Sequence, residues 1–409
     1  LESILSAVSA GRARPDEKGA AAPVEHNPAP ISSGNDLLPA GNTDSVTEND
    51  FDAPHPAPPE HFVMAHSIRA LAEQLGLSIS TVSRALNGYK DVNADTRQRI
   101  IDAARASGYR PNPTARRLVS GKTGAVGLIA PITIGEFGIA GFSRFVEGAA
   151  SRLYEAGYYL LANALPTAAS DREAYDRFIG GGWVDGVILR QTLSDDPRVH
   201  RLQASGFPFA SYGRTAETVD MAWVDADDEG AFRQLTARLL ARGHRRLALI
   251  NAPEAFNFAR LRRCGFEQAL ADGGVSAEGA RVVNLEPSES IAHEATLELL
   301  AQAAPPTALI CASDAVALAA MAACRERGRE PGRDIAVTGF GNTPAAAYAQ
   351  PALTTLESFE YDNGREVASL LLRRLAGEPA HTLHHLVTPR LVERASDAFR
   401  LGRDGRPCN

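Results

Sequence analysis

Ser67-Ile-Arg-Ala-Leu-Ala-Glu-Gln-Leu-Gly-Leu-Ser-Ile-Ser-Thr-Val-Ser-Arg-Ala-Leu-Asn-Gly88 contains two short helical periods separated by a glycine. Ile68, Leu71, Ala72 and Leu75 share one helical face, and Gly76 breaks the pattern. Ile79, Val82 and Leu86 repeat it, so the stretch predicts a helix-turn-helix. Ser78, Ser80, Thr81, Ser83, Arg84 and Asn87 stand between the apolar positions of the second helix. All can hydrogen-bond to phosphates or base edges, as a helix in a major groove must. The pattern alone also fits an ordinary amphipathic hairpin with a polar outer face.

Asn93 to Gly108 predicts a third helix, with Asn93 as N-cap, Gly108 as stop, and Ile100, Ile101 and Ala104 closing a small core. Ser80-Thr-Val-Ser-Arg-Ala-Leu-Asn-Gly88, Gly108-Tyr-Arg-Pro-Asn112, Ala115-Arg-Arg-Leu118 and Gly121-Lys-Thr-Gly124 follow in order. This series resembles the DNA-binding domain and hinge of the LacI/GalR family of bacterial repressors.

The chain of 409 residues has room for two or three domains. Its net charge of -7 divides unevenly: residues 1–63 carry ten acidic and three basic residues, residues 64–122 four acidic and ten basic. A basic headpiece on an acidic body confines phosphate attraction to one end. Residues 1–63, rich in Pro, Ala, Gly, Asn and Asp, are expected to be a disordered acidic extension. Met64 is the first methionine and the expected natural start, which makes that extension an upstream artefact of the gene model; an acidic tail competing with DNA for the headpiece is the alternative.

Cys264, Cys311, Cys324 and Cys408 show no paired spacing and read as reduced thiols of a cytoplasmic, nucleoid-associated protein. No membrane span and no secretory signal is expected. His381, His384 and His385 lack a partner motif, so neither metal nor cofactor is expected. Gly339-Phe-Gly341 continues to Pro344, which argues against a dinucleotide fingerprint, and no Gly-x-Ser-x-Gly elbow appears.

The resemblance places Ile79 and Ser80 at the start of the recognition helix and Arg84 one turn on, where a guanidinium can bond a guanine. It gives Ser78, Thr81, Ser83 and Asn87 to phosphates. Residues 64–110 would form the DNA-binding domain and residues 111–122 a hinge helix and linker, including Asn112. Such a segment is too short to hold a helix in water and would fold only against DNA and a partner copy. Leu118 matches the leucine that wedges into the minor groove, and Ala115 the small residue allowing close approach. Leu118→Ala is expected to weaken specific operator binding and spare effector binding; equal affinity in a gel-shift titration would contradict this. The resemblance implies a homodimer on a pseudo-palindromic double-stranded operator. The tail after Val392 has no heptads for a tetramer.

From Gly124 onward, apolar runs at 125–130, 158–162, 186–189, 247–250, 308–311 and 335–340 alternate with helical runs at 146–156, 231–241, 266–270 and 316–327. That alternation predicts doubly wound parallel sheets in two lobes around a cleft. The fold expected is thus an all-α helix-turn-helix headpiece plus a two-lobed α/β periplasmic-binding-protein-like domain over residues 123–395, with 396–409 as a C-terminal tail. Trp223-Val-Asp-Ala-Asp-Asp-Glu-Gly230, Arg242-Gly-His-Arg-Arg-Leu-Ala-Leu-Ile250 and Leu353-Thr-Thr-Leu356 extend the resemblance.

Arg262, within Arg260-Leu-Arg-Arg-Cys-Gly-Phe266, matches the family's effector-binding arginine, whose fork suits adjacent hydroxyls or a carboxylate. Ser313 is expected to bond a ligand hydroxyl and Asp314 to cap the next helix. Gly341 replaces an aspartate that commonly accepts from the effector, leaving Asn342 as partial substitute. Tyr212-Gly-Arg-Thr215 resembles a motif of members responsive to α-glucosides and related oligosaccharides, which places Arg214 near the cleft. Phe137, Phe142, Phe256 and Phe258 are candidates to stack on a sugar face. The function implied is a sugar-controlled transcriptional repressor; a regulator responding to a nucleoside or another metabolite, and a sugar-active α/β enzyme, are the alternatives.

Overall fold

The computed structural model describes residues 67–89, 91–109, 121–131, 140–165, 171–217, 220–276, 279–286 and 288–402. The expected extension over 1–63, most of the hinge (with Asn112, Ala115 and Leu118) and Phe137 lie outside them.

Three helices, α1 (Ile68–Leu75), α2 (Ile79–Leu86) and α3 (Ala94–Ala106), build the headpiece. Each begins where a polar side chain captures an orphan amide: Ser67 accepts from Ala70 N, Ser78 from Thr81 N, and Asn93 from Asp95 N. Gly76 ends α1 in the left-handed region at φ 64°, which a side chain would strain. Leu71, Ala72, Val82, Ala85, Val92, Ile100 and Ala104 form the core. Ala85 is buried, whereas Ile79, which periodicity gave to the core, is 43% exposed.

The first lobe holds β1 (Ala125–Pro131), α4 (Ala140–Glu155), β2 (Tyr159–Leu165), α5 (Asp171–Gly180), β3 (Gly186–Arg190), α6 (Pro197–Ser205), β4 (Phe209–Tyr212) and β5 (Ala222–Ala226). The chain then crosses into the second lobe: α7 (Asp228–Ala241), β6 (Leu247–Asn251), α8 (Asn257–Asp272), β7 (Ala280–Asn284), α9 (Glu289–Leu300), β8 (Ala308–Cys311), α10 (Asp314–Glu326), β9 (Ala336–Phe340), α11 (Pro344–Tyr348) and β10 (Thr354–Glu357). Helix α12 (Glu360–Leu375) and β11 (His384–Val387) return to the first lobe, and β12 (Arg390–Val392) to the second.

Strand order is β11-β5-β4-β3-β1-β2 in one sheet and β12-β10-β9-β8-β6-β7 in the other; every pairing is parallel except β10 with β12. Alternate residues feed opposite cores. Leu247 and Leu249 pack on one face of the second sheet, Ala248 and Ile250 on the other, as in a sheet covered by helices on both sides. Helix α12 lies against α4 closely enough that a Cβ at Gly148 would strike the Tyr361 carbonyl and one at Gly364 the Phe145 carbonyl. Order reverses at β1/β3 and again at β6/β8, so each lobe has a crevice at the carboxyl ends of its strands.

The expected tail at 396–409 is corrected by the structure, because the second lobe continues past residue 395. Ser396 and Asp397 are fully buried, and Phe399 nearly so. Asp397 accepts from Arg238 Nε and Thr354 Oγ1, both at 2.7 Å, and Ser396 Oγ donates to the Val337 carbonyl at 2.6 Å. A segment lacking sequence periodicity is held here by side-chain hydrogen bonds rather than by an apolar stripe.

Phe399 also supplies the carbonyl that faces His244 Nε2 at 3.1 Å, while Nδ1 meets Thr307 Oγ1 at 2.9 Å. Burial holds the imidazole down to about 4. The unfolded chain takes up a proton near the ordinary value of about 6.5, so this stabilisation is complete above that pH and is lost as pH falls toward 4. We predict that His244→Gln flattens the acid limb of stability by on the order of 2 kcal/mol between about pH 7 and pH 5. Urea midpoints that keep the wild-type slope would contradict it.

Burial likewise pushes the Cys324 thiol up to about 12 and Cys311 higher still, which leaves both unreactive. No helix of the described residues is long and apolar enough to cross a membrane.

Candidate functional site

The two sets of strand ends face each other across a cavity of about 470 Å³. The first lobe contributes Arg190 at the end of β3 and Thr192 beyond it, Tyr212 at the end of β4 and Arg214 beyond it, and Asp225 on β5. Asn251, Ser313 and Phe340 come from the ends of β6, β8 and β9, and Phe256, Phe258 and Arg262 from the start of α8. Asp228 opens the crossing helix α7, and Glu360 opens the returning helix α12. Cavity size falls within the roughly 300–1,000 Å³ usual for small-molecule sites.

Three arginine–carboxylate pairs line it. Arg262 Nε donates to Asp228 Oδ1 at 2.7 Å, Arg214 Nε lies 3.3 Å from Asp225 Oδ2, and Arg190 Nη2 lies 3.4 Å from Glu360 Oε2. Aromatic rings back each cation. Arg262 sits 4.1 Å from the Phe340 centroid and 4.8 Å from that of Phe258, Arg214 is 5.4 Å from Trp223, and Arg190 is 4.6 Å from Phe145. Arg262 Nη1 also donates to the Ala312 carbonyl at 2.9 Å.

Burial raises all three carboxylic acids above their ordinary range, and the arginines oppose it. Asp225 is pushed up to about 7 by burial, with the neighbouring Asp228 charge adding to the effect. Near neutral pH it can therefore offer a ligand hydroxyl either a donor or an acceptor. Burial and the Glu360 charge push the Tyr212 phenol well up; its hydroxyl donates to Glu360 Oε1 at 3.1 Å. Three further polar atoms of the lining, Arg190 Nε, Thr192 Oγ1 and Asn251 Oδ1, are buried without a hydrogen-bond partner among the described residues. Such atoms are rare in a finished core and are suited to meeting a bound ligand.

On α2, Ser78, Ile79, Ser80, Arg84 and Asn87 are exposed, and Thr81 and Ser83 are half-buried. Ser78 Oγ accepts from Thr81 N as the N-cap, and its hydroxyl also bonds those of Ser80 and Thr81 at 2.8 Å.

Residues 67–112 match bacterial regulatory proteins of the lacI family, and residues 236–396 match the periplasmic binding protein-like domain. AglR, an HTH-type transcriptional regulator of Rhizobium meliloti, is 35% identical over 339 residues, covering 81% of this chain and 94% of its own length. The chain belongs to the LacI family. RafR of Escherichia coli, another such regulator, is 33% identical over 79% of this chain and 96% of its own. Among solved structures, a CelR–cellobiose complex shares 29% identity with a TM-score of 0.63, covering 81% of this chain and 99% of that one. A lac repressor dimer bound to operator and the anti-inducer ONPF shares 25% identity with a TM-score of 0.70 over 81% of this chain and 98% of that one.

As a LacI-family DNA-binding transcriptional regulator, the protein joins a helix-turn-helix headpiece to a two-lobed α/β body. The cavity gathers Arg262, Arg214 and Ser313, together with Phe256 and Phe258. It does not gather Asn342. That residue turns away at φ 50°, and its Oδ1 accepts from Arg394 Nη2 at 2.7 Å. Phe142 is a core residue of the first lobe instead of a lining ring. The roles expected of Ser313 and Asp314 are partly exchanged: Ser313 Oγ caps α10 by accepting from Val316 N at 3.2 Å. Asp314 accepts from Thr343 N at 2.6 Å and Thr355 Oγ1 at 2.5 Å, tying α10 to the next two strand ends.

Sequence reasoning missed Arg190, Asp225, Asp228 and Glu360. Asp225 and Asp228 stand within the quoted Trp223–Gly230 landmark, and acidic residues at the carboxyl end of a strand and just beyond it were the available signal. Glu360 lies 170 positions from its partner Arg190 and had none.

Proposed function

We propose that the cavity binds a neutral oligosaccharide of about two rings, and that this ligand controls operator binding by a homodimer. The observation that carries the reading is the charge-balanced lining: three buried or half-buried arginines, each matched by a carboxylate, beside the stacked rings of Phe256 and Phe258, 5.5 Å apart. A sugar hydroxyl both donates and accepts, so a polyol can bridge each pair and lay its apolar face on a ring. A phosphorylated or carboxylated ligand would meet a carboxyl group beside each arginine. The cellobiose seated in the CelR complex supports the same class. Carboxylates tied to arginines suit binding better than acid–base turnover, so a regulator without enzymatic activity is the reading favoured.

On the DNA side, Arg84 and Ser80 would read bases, while Ser78, Thr81, Ser83 and Asn87 would hold phosphates. Asn112, Ala115 and Leu118 would form the minor-groove hinge. The lac repressor dimer on its operator supports this arrangement, and a protein working in this way would act in the cytoplasm on the nucleoid.

A thermal-shift panel on the full chain tests the ligand class, using cellobiose, maltose, raffinose, glucose, adenosine and guanosine. At about one hundred times its Kd, a bound sugar stabilises by about 2.7 kcal/mol and raises the melting temperature. At least one oligosaccharide should do so. A shift from a nucleoside alone, or from none of the six, would overturn the reading.

A further inference from the structure

The turn that follows α2 folds back on the helix. Arg97 Nη2, from α3, donates to the carbonyls of Tyr89 at 2.6 Å and Val92 at 3.0 Å, and Tyr89 N donates to the Arg84 carbonyl at 3.0 Å. Val92 is buried in the headpiece core. This anchoring brings both Tyr89 and Asp91 against the Arg84 side chain. The guanidinium lies 5.2 Å from the Tyr89 ring centroid, and its Nη2 donates to Asp91 Oδ2.

We infer that Asp91, with Tyr89, is a positioning residue that fixes the base preference of Arg84. The inference rests on the proposed reading of DNA by α2. Arg84 and Asp91 side chains are 52% and 51% exposed, and an ion pair so placed contributes little to folding. Its consequence is geometric. A free arginine samples many rotamers and can meet any phosphate. Here the ring and the carboxylate hold the guanidinium plane. Of its five N–H groups, one on Nη2 is committed to Asp91, and the other on Nη2, with the adjacent one on Nη1 or Nε, stays available for the paired acceptors of a guanine edge. A carboxylate at this edge also repels phosphate, so it disfavours sequence-independent contact while leaving the base contact in place.

The test uses the full-length chain. Selection from a randomised duplex library defines the wild-type site, and Arg84→Ala shows which base pair Arg84 reads. Affinities for that duplex and for a scrambled one are then compared in Asp91→Asn, Asp91→Glu and Tyr89→Leu. For Asp91→Asn we expect preference at the Arg84 base pair to fall about tenfold, within the range one such base contact supplies. Scrambled-duplex affinity should stay equal or rise, with the melting temperature unchanged. Asp91→Glu should recover part of the preference, and Tyr89→Leu should lose a smaller share. A merely structural role would weaken both duplexes together, which would overturn the inference. Unchanged preference would too, as would sharper preference, since Asp91 would then mask Arg84. Wild-type protein that selects no sequence would fail the reading itself, a result visible before any variant is compared.

Discussion

Arg262→Met should leave the protein unable to bind its sugar and cost the body about 3–5 kcal/mol, because it strands a buried carboxylate. Asp228 is 2% exposed and Arg262 7% exposed, so neither charge has water to fall back on. Arg262 also bonds the Ala312 carbonyl and packs among Phe232, Phe258 and Phe340, so its loss loosens the junction of α7, α8 and β8. A fall in melting temperature on the order of 10 °C follows for a body of this size. The double variant Arg262→Met/Asp228→Asn separates stability from binding. Removing both charges should restore most of the stability, since replacing a whole buried pair is often nearly neutral. Sugar binding should remain lost, because both hydrogen-bonding partners are gone. Calorimetry showing wild-type sugar affinity in either variant would contradict the assignment.

Asp397→Ala should be comparably severe, at about 3–5 kcal/mol, though it lies far from either site in sequence. Its side chain is fully buried; Arg238 Nε and Thr354 Oγ1 bond it at 2.7 Å, and Arg242 Nη2 lies 3.7 Å away. Removal leaves two arginines, 17% and 14% exposed, without their shared anion. Truncation after residue 395 should do at least as much, since it also removes Ser396 from between Val337 and Thr354. Urea unfolding midpoints check both. A truncated chain as stable as wild type would show the segment to be dispensable.

The headpiece was legible because its signals are local. Ser67, Gly76, Ser78 and Asn93 stand where helices must start or stop, and each does so in the structure. The exceptions are Ile79 and Ile101, both assigned to the core by spacing: Ile79 is 43% exposed, and Ile101 is half-buried outside the core cluster. In the body, six of the twelve strands were read as apolar runs, and those missed had weaker patterns. β4 (Phe209–Tyr212) and β10 (Thr354–Glu357) are four residues long, and Asp225 interrupts β5. Their strand character comes from neighbours already in the sheet.

The cleft was legible only in part, and for a similar reason. Arg262 and Arg214 could be matched by motif, yet each acquires its setting from a carboxylate elsewhere in the chain. Arg262 and Asp228 are 34 positions apart and meet because α7 and α8 pack together. Asn342 was misread because adjacency in sequence to Gly341 says nothing of a backbone turn pinned by Arg394.

The most direct measurement is a reciprocal titration on the full chain. A sugar identified by thermal shift is titrated while fluorescence anisotropy follows a labelled operator duplex, and its affinity is then measured with and without operator. A ligand that controls DNA binding must change operator affinity by a definite factor, typically about 5–150-fold, and operator must change sugar affinity by the same factor. That equality is the result expected, with Arg262→Met still binding operator but deaf to the sugar. Operator affinity that stays constant while the cavity fills would contradict control of DNA binding by the cleft.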